Sequence, residues 1–150
     1  MKKQMKFKFK TENKDVNERK LFNEKLKKLY PDKIPIICEK DPRSKFADID
    51  KTKFLIPKDL FVAQFILLIR KRIEINSKEA FFLLTDKGIV ISKEINTTLG
   101  EIYEKYANEN DGFLYLVYAG EEIWGDSLRN FLENNSIWYN NNEINKNILT

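Results

Sequence analysis

The chain has 150 residues, with 27 Lys and Arg against 23 Asp and Glu, one Cys and no His. This length is typical of one domain with its own hydrophobic core. The lack of His, together with the single Cys38, argues against a zinc site and against a cysteine nucleophile with a histidine base. No apolar run reaches the ~18 residues that a membrane span needs, and no signal-peptide pattern is present. We therefore expect a soluble, cytoplasmic protein that is not an enzyme and needs no cofactor.

Positive charge is concentrated in the N-terminal segment. Residues 1–30 contain eleven Lys or Arg and four Asp or Glu. Such a face attracts anionic membranes, acidic proteins such as tubulin, or nucleic acid through the same Coulomb interaction. No nucleic-acid-binding motif accompanies it, so nucleic acid is not expected as a partner. A solvated helix surface explains the charge equally well.

The first predicted long element is an amphipathic helix over residues 16–29. Its apolar stripe is expected to be formed by Val16, Leu21, Phe22, Leu26 and Leu29. Tyr30-Pro31-Asp32-Lys33 ends it, because the residue before a proline avoids the α conformation. Residues 1–33 are thus predicted to form a basic helical segment.

Two short strands and a helix follow. Ile34 to Lys40, with Cys38 as a buried structural thiol, and Lys53 to Pro57 are predicted to form an antiparallel pair. Apolar residues recur at helical spacing from Leu60 to Ile73, with Asp59 as the predicted N-cap.

The last predicted elements are a hairpin, a helix and a strand. Phe81 to Thr85 and Ile89 to Ile91 flank an Asp-Lys-Gly turn. Thr98 and Glu101 form a capping box for a short helix. The apolar strand Phe113 to Ala119 is expected at the centre of the sheet, because both its faces are suited to burial. This order predicts an α+β fold, the ubiquitin-like β-grasp, over residues 34–125. A four-stranded mixed sheet is expected, with Lys53 to Ile56 at one edge.

The composition changes at Gly125. Residues 126–150 contain eight Asn and no Gly or Pro. We interpret this C-terminal extension as a segment removed by proteolysis, which would leave a terminal glycine that an enzyme can approach closely. Docking of its Phe131-Leu132 and Ile137-Trp138-Tyr139 on the body is the alternative.

Six separated motifs resemble the autophagy ubiquitin-like modifiers, a family that includes microtubule-associated protein light chain 3 and the GABA-receptor-associated protein. The similarity covers residues 5 to 125. The motifs are Met5-Lys6-Phe7, Tyr30-Pro31-Asp32-Lys33-Ile34-Pro35, Asp50 to Pro57, Gln64 to Ile73, Ala80 to Leu84 and Asp111 to Gly125.

The resemblance implies a protein substrate of a conjugation cascade. A cysteine protease would cut after Gly125, ubiquitin-like activating and conjugating enzymes would carry the new carboxylate, and phosphatidylethanolamine would accept it. The protein would then act in autophagosome formation, on the autophagosome membrane. An unconjugated protein-interaction module is the alternative function.

The resemblance also implies that cargo receptors bind through short aromatic-x-x-aliphatic peptides at the edge strand. Acidic residues beside the peptide motif would contact Arg72 and the basic N-terminal helices. The first pocket would be lined by Leu26, Pro35, Ile37, Lys53, Leu55 and Phe113, and the second by Phe54, Ile56, Pro57, Leu60, Phe65 and Leu68.

Ordinary core packing is the competing explanation for several of these residues. Leu60 and Leu68 lie off the predicted inward stripe of their helix, which favours a partner surface. Two positions differ from the usual family pattern. Phe22 replaces an acidic residue beside the first pocket and predicts a more apolar rim, and Trp124 precedes the glycine instead of Phe or Tyr.

Overall fold

The computed structural model describes residues 5–76 and 78–122. Two helices precede a sheet of four strands, and two more helices lie between the later strands. In chain order the elements are α1 (Lys8–Glu12), α2 (Val16–Leu29), β1 (Lys33–Lys40), β2 (Lys53–Pro57), α3 (Val62–Arg72), β3 (Phe82–Thr85), α4 (Leu99–Tyr106) and β4 (Leu114–Ala119).

The sheet has the strand order β2-β1-β4-β3. The central strands β1 and β4 are parallel, with Ile36 opposite Leu114. Both outer strands run antiparallel to their neighbours. The predicted β-grasp with a mixed four-stranded sheet and an N-terminal helical extension is confirmed, and β2 lies at an edge as expected.

Side chains alternate between two cores on opposite faces of the sheet. On the face covered by α3, Ile36 of β1 and Leu116 of β4 belong to the larger core, together with Phe65 and Ile69 of α3. The opposite face carries a smaller core, formed by Ile37, Phe113, Tyr115, Val117 and two phenylalanines of the N-terminal segment, Phe7 and Phe9. The two pocket sets predicted from the sequence divide between these faces.

Helix α3 begins later than predicted. Phe61, not Asp59, is its N-cap residue. The Gln64 side chain accepts a hydrogen bond from the Phe61 N–H at 2.9 Å, and the Gln64 N–H donates to the Phe61 carbonyl at 3.0 Å. A turn in which the Leu60 N–H donates to the Pro57 carbonyl at 3.1 Å occupies the residues before it.

The second arm of the predicted hairpin is not a strand. It contributes one isolated bridge, between Leu84 and Val90. The N–H groups of Ile91 and Ser92 both donate to the Leu83 carbonyl, at 2.9 and 3.2 Å, so the ladder stops there. The predicted Thr98–Glu101 capping box at α4 is confirmed.

Helix α2 forms where it was predicted, but its predicted apolar stripe was wrong. Val16, Leu21, Phe22 and Leu29 are all exposed, and the buried residue of the helix is Asn23. Residues five apart, such as Val16 and Leu21, are rotated by ~140° on a helix and do not share one face. Polar anchors set the inward direction instead. The Arg19 Nε donates to the Asp111 carboxylate at 2.8 Å, and the Asn23 amide donates to the Asp111 carbonyl at 2.8 Å.

Candidate peptide-binding edge

Strand β2 has one neighbour in the described part of the chain, β1, so its outer edge is unpaired there. The Cys38 N–H donates to the Thr52 carbonyl at 2.8 Å, and the Lys58 N–H donates to the Asp32 carbonyl at 3.0 Å. In an antiparallel pair, hydrogen-bonded residues alternate with residues whose N–H and C=O point away. Because Thr52 and Lys58 bond inward, Lys53 and Leu55 direct their backbone groups outward. Pro35, which lacks an N–H, lies opposite Leu55, so no ladder bond is lost.

The first predicted pocket lies on the face covered by the N-terminal helices. Ile37 and Phe113 are buried there beside half-buried Leu26 of α2. Pro35 is buried, Leu55 is half-buried, and Lys53 is exposed. The Lys53 ammonium lies 5.8 Å from the ring centroid of Phe9, which joins helix α1 to the rim of this site. The structure thus brings all six predicted residues, Leu26, Pro35, Ile37, Lys53, Leu55 and Phe113, to one side of the edge.

The second predicted set is centred on the opposite face, against α3. Phe54, Ile56 and Phe65 belong to the larger core, and the Phe54 and Phe65 rings meet edge-on with centroids 5.5 Å apart. Leu60 and Leu68 pack half-buried against that core, which agrees with a partly open apolar surface. Pro57 is exposed. Successive side chains of a strand point to opposite faces, so Pro57 lies on the face opposite to Phe54 and Ile56, which is the first-pocket face.

Arg72, the predicted contact for acidic flanks, lies beside the second set. Its guanidinium is 5.9 Å from the Phe54 ring centroid and 3.2 Å from an Asp50 carboxylate oxygen. An exposed ion pair of this kind contributes at most about 1 kcal/mol to stability. An incoming carboxylate therefore competes for Arg72 at little cost.

Two phenylalanines of the N-terminal helices add to this surface. Sequence patterns missed one of them, Phe9, and predicted the other, Phe22. Phe9 is the buried residue of helix α1, although Lys6-Phe7-Lys8-Phe9-Lys10 alternates in the manner of a strand. Phe22 is 45% exposed, and its ring centroid lies 6.1 Å from that of Phe113. Phe22 therefore adds an open apolar surface beside the first pocket, as the substitution at this position predicted.

Cys38 is fully buried. Loss of hydration and, to a smaller extent, the negative charge of Glu39 raise the pKa of its thiol, which is typical of a structural thiol. Between residues 5 and 122, leaving out residue 77, no group of three acidic or Cys side chains is arranged to hold a metal ion. Nor does any helix of these residues have the length and hydropathy to cross a membrane. Gly125, the predicted attachment residue, lies outside the described residues.

Comparison with known proteins agrees with this geometry. A family model described as "Autophagy protein Atg8 ubiquitin like" matches residues 18–125. The chain belongs to the Atg8 family. Autophagy-related protein 8 from two strains of Cochliobolus heterostrophus is 41% identical over 124 residues, covering 83% of this chain and 100% of the relative. The crystal structure of Trypanosoma brucei ATG8 superposes with a TM-score of 0.69 at 37% identity, covering 78% of this chain and 97% of that structure.

Membership of the Atg8 family confirms the resemblance that the six motifs predicted. The protein is an autophagy protein with a ubiquitin-like fold. The family match also ends at Gly125, the residue at which the composition changes.

Proposed function

We propose that this Atg8-family protein is a modifier whose Gly125 carboxylate is joined to the amine of phosphatidylethanolamine. One observation carries the proposal: the family match ends at Gly125, the residue after which the composition changes. Residues 126–150 are then an extension to be removed. A cysteine protease would remove it, and activating and conjugating enzymes would transfer the carboxylate. The two acyl chains of the lipid then hold the protein on the autophagosome membrane, although its sequence has no apolar run long enough to span one. Their burial contributes ~0.8 kcal/mol per CH₂.

Intact-mass analysis of cellular protein from soluble and membrane fractions tests this function. We expect a chain ending at Gly125 in the soluble fraction and the same chain plus one phosphatidylethanolamine, less one water, on membranes. Gly125→Ala should fold normally but show neither form. A chain truncated after Gly125 is the matched control, since it bypasses the protease and should still be lipidated.

Two results would overturn conjugation. Lipidation of the Gly125→Ala variant would show that another residue is attached. A population that ends at Thr150 throughout, with no lipidated species, would instead favour the unconjugated interaction module.

We further propose that the β2 edge binds extended aromatic-x-x-aliphatic peptides of cargo receptors. The outward backbone groups of Lys53 and Leu55 support this, because they can extend the sheet by one strand. Apolar surfaces on both faces of the same edge support it too, since alternate side chains of an added strand point to opposite faces. The exposure of Lys53 and Arg72 supports contacts with acidic residues beside the motif.

Calorimetric titration with a synthetic peptide of this pattern tests the edge. Leu55→Ala should weaken binding about tenfold, the effect of truncating one interface anchor. Leu21→Ala is the control, because Leu21 is an exposed leucine on α2 and should leave affinity unchanged. Equal affinities in all three proteins, or no binding to the wild type, would refute the site.

A further inference from the structure

The end of the described chain folds back onto a loop of the body. One carboxylate oxygen of Glu122, Oε1, accepts hydrogen bonds from the Lys45 N–H at 3.1 Å and from the Ser44 hydroxyl at 3.3 Å. These residues lie 77 and 78 positions apart from Glu122 in the chain. We call this pair of hydrogen bonds the Glu122 contact.

The loop that receives Glu122 is itself fixed to the sheet. The Asp41 N–H donates to the Tyr118 carbonyl at 2.9 Å, and the Tyr118 hydroxyl donates to the Ala47 carbonyl at 2.7 Å. Ser44 is buried, and its hydroxyl also accepts from the Phe46 N–H at 3.2 Å. Both ends of residues 41–47 are thus tied to the central strand β4, so Glu122 contacts an ordered platform.

Gly120 leaves the space that the Glu122 side chain uses. A Cβ atom at position 120 would lie 2.4 Å from Glu122 Oε2 and 3.1 Å from its Cδ, far inside contact distance. The backbone of Gly120 does not have a positive φ. An alanine there would therefore displace the carboxylate without straining its own backbone.

The ionisation of Glu122 is consistent with this contact. Burial by itself raises the pKa of the carboxyl. The hydrogen bonds from the Lys45 N–H, from its own backbone N–H and from the Ser44 hydroxyl, together with the positive charge of Lys45, bring the net pKa below its ordinary value. The group is an anion at neutral pH, the form that accepts hydrogen bonds most strongly.

We propose that Glu122 is a positioning residue that limits how far the segment cut during processing can extend from the body. The inference rests on the proposed cleavage after Gly125. Hydrolysis of the Gly125–Asp126 peptide bond consumes one water and leaves a carboxylate on Gly125 and an amine on Asp126. A protease must hold the residues beside that bond in its cleft.

Chain length determines how far the scissile bond extends from the body. Gly125 is three residues beyond Glu122, a span of at most roughly 10 Å at ~3.5 Å per residue. If the Glu122 contact opens, the free span begins at Gly120 and reaches roughly 17 Å. While the Glu122 contact is formed, the scissile bond can therefore extend about 7 Å less far from the body. The contact opens before the protease cuts efficiently.

Limited proteolysis of the full chain tests the inference independently of the natural protease. Chymotrypsin cuts after aromatic residues, and intact mass identifies the fragment that ends at Trp124. We expect Glu122→Ala to raise the initial rate of this cut about fivefold, which corresponds to ~1 kcal/mol, the net value of a typical hydrogen bond. Gly120→Ala should raise it similarly, and the double variant should be no faster than Glu122→Ala alone.

Glu121→Ala is the matched control, since Glu121 is adjacent, carries the same charge and is exposed like Glu122. It should cut at the wild-type rate. Hydrogen exchange at the Lys45 amide should accelerate in Glu122→Ala and Gly120→Ala only. This result would show that the substitutions open the Glu122 contact and do not act only by changing the sequence that chymotrypsin recognises. Unchanged chymotrypsin rates in both variants would overturn the inference.

Cell extract containing the natural protease separates this inference from the proposed function. If cutting after Gly125 occurs and accelerates in the same two variants, both stand. If the extract leaves every variant intact while chymotrypsin distinguishes them, the processing proposal fails and the restriction of reach by Glu122 remains.

Discussion

On the face of the sheet covered by α3, apolar side chains pack against apolar side chains. Phe65, Ile66 and Ile69 of the helix are each at most 1% exposed. On the opposite face, α2 is held by polar anchors, the Arg19–Asp111 ion pair and the Asn23 amide, while Leu21 and Leu29 are 58% and 71% exposed. A helix that is anchored by hydrogen bonds can leave its apolar residues exposed, because it does not depend on burying them for its position.

The difference explains why the edge site has two unlike sides. The side formed with α3 is part of the main core, so its half-buried leucines are held by dense packing. The side formed with the N-terminal helices has a smaller core, and α2 is held there by a few directional contacts. Perturbing each face should therefore have different consequences, and the following changes test that contrast in order of expected effect.

Phe65→Ala should be the most destabilising change. Phe65 is 0% exposed and packs on Phe54, so its truncation should lower the free energy of unfolding by about 4 kcal/mol through lost burial and a cavity. Urea denaturation followed by fluorescence measures this. Phe61→Ala, a 44% exposed phenylalanine at the start of the same helix, should change stability by less than about 0.5 kcal/mol. Equal losses would contradict the contrast between buried and exposed sites.

Asp111→Ala should come next, at about 3 kcal/mol, because it removes the carboxylate that neutralises the largely buried Arg19 guanidinium. The Asp111 carboxylate also accepts from the Tyr115 hydroxyl at 2.5 Å and the Phe113 N–H at 3.0 Å. Calorimetric melting gives the loss, and hydrogen exchange should show α2 opening before the sheet. The exposed Asp59→Ala serves as control. Simultaneous exchange of α2 and the sheet would show that the anchors do not act locally.

Glu39→Ala should act on α1 alone. The Glu39 carboxylate accepts from the N–H groups of Lys8 and Phe9, at 2.8 and 3.1 Å. Removing it should lower the local opening free energy by about 1–2 kcal/mol, with a small change in melting temperature. Amide exchange at those two residues is the measurement, with the exposed Glu12→Ala as comparison. Unaltered exchange at Lys8 and Phe9 would mean that Phe7 and Phe9 hold the helix without Glu39.

Phe22→Ser should have the smallest effect on stability, within about 0.5 kcal/mol, since Phe22 is substantially exposed. It should nevertheless weaken binding of a peptide that carries an apolar residue beside its aromatic anchor, about three- to fivefold by lost apolar contact. A peptide with Ser at that position should bind both proteins equally. Fluorescence anisotropy gives the four affinities, and Leu21→Ser controls for added polarity on α2. If the ratio of wild-type to Phe22→Ser affinity is the same for the two peptides, Phe22 does not contact the residue beside the aromatic anchor.

Local patterns predicted some elements closely and others poorly. Strand β2 was predicted with its observed bounds, Lys53–Pro57, because its alternation ends at a proline. The α2 stripe was mispredicted because a buried Asn and an Arg–Asp pair override apolar spacing. The α3 N-cap was mispredicted because the Gln64 side chain, and not Asp59, satisfies the Phe61 N–H.

The candidate site divides in the same way. The family resemblance predicted the two residue sets, and strand alternation along β1 and β2 separates most of their members by face. No local pattern identified the contribution of Phe22 against Phe113 as an aromatic contact, or that of Glu122 against Ser44. Those partners are far apart in the chain, and only the folded topology brings them together.

By itself, the sequence determined the succession of strands and helices, the central place of the apolar strand before Ala119, and the composition boundary at Gly125, because hydrophobic periodicity and turn chemistry are local. The tertiary structure decided which way α2 faces, which backbone groups of β2 point outward, and how Gly120 admits the Glu122 carboxylate to its loop. These depend on pairs of groups that satisfy one another across the fold, and a buried polar group takes whichever orientation gives it a partner.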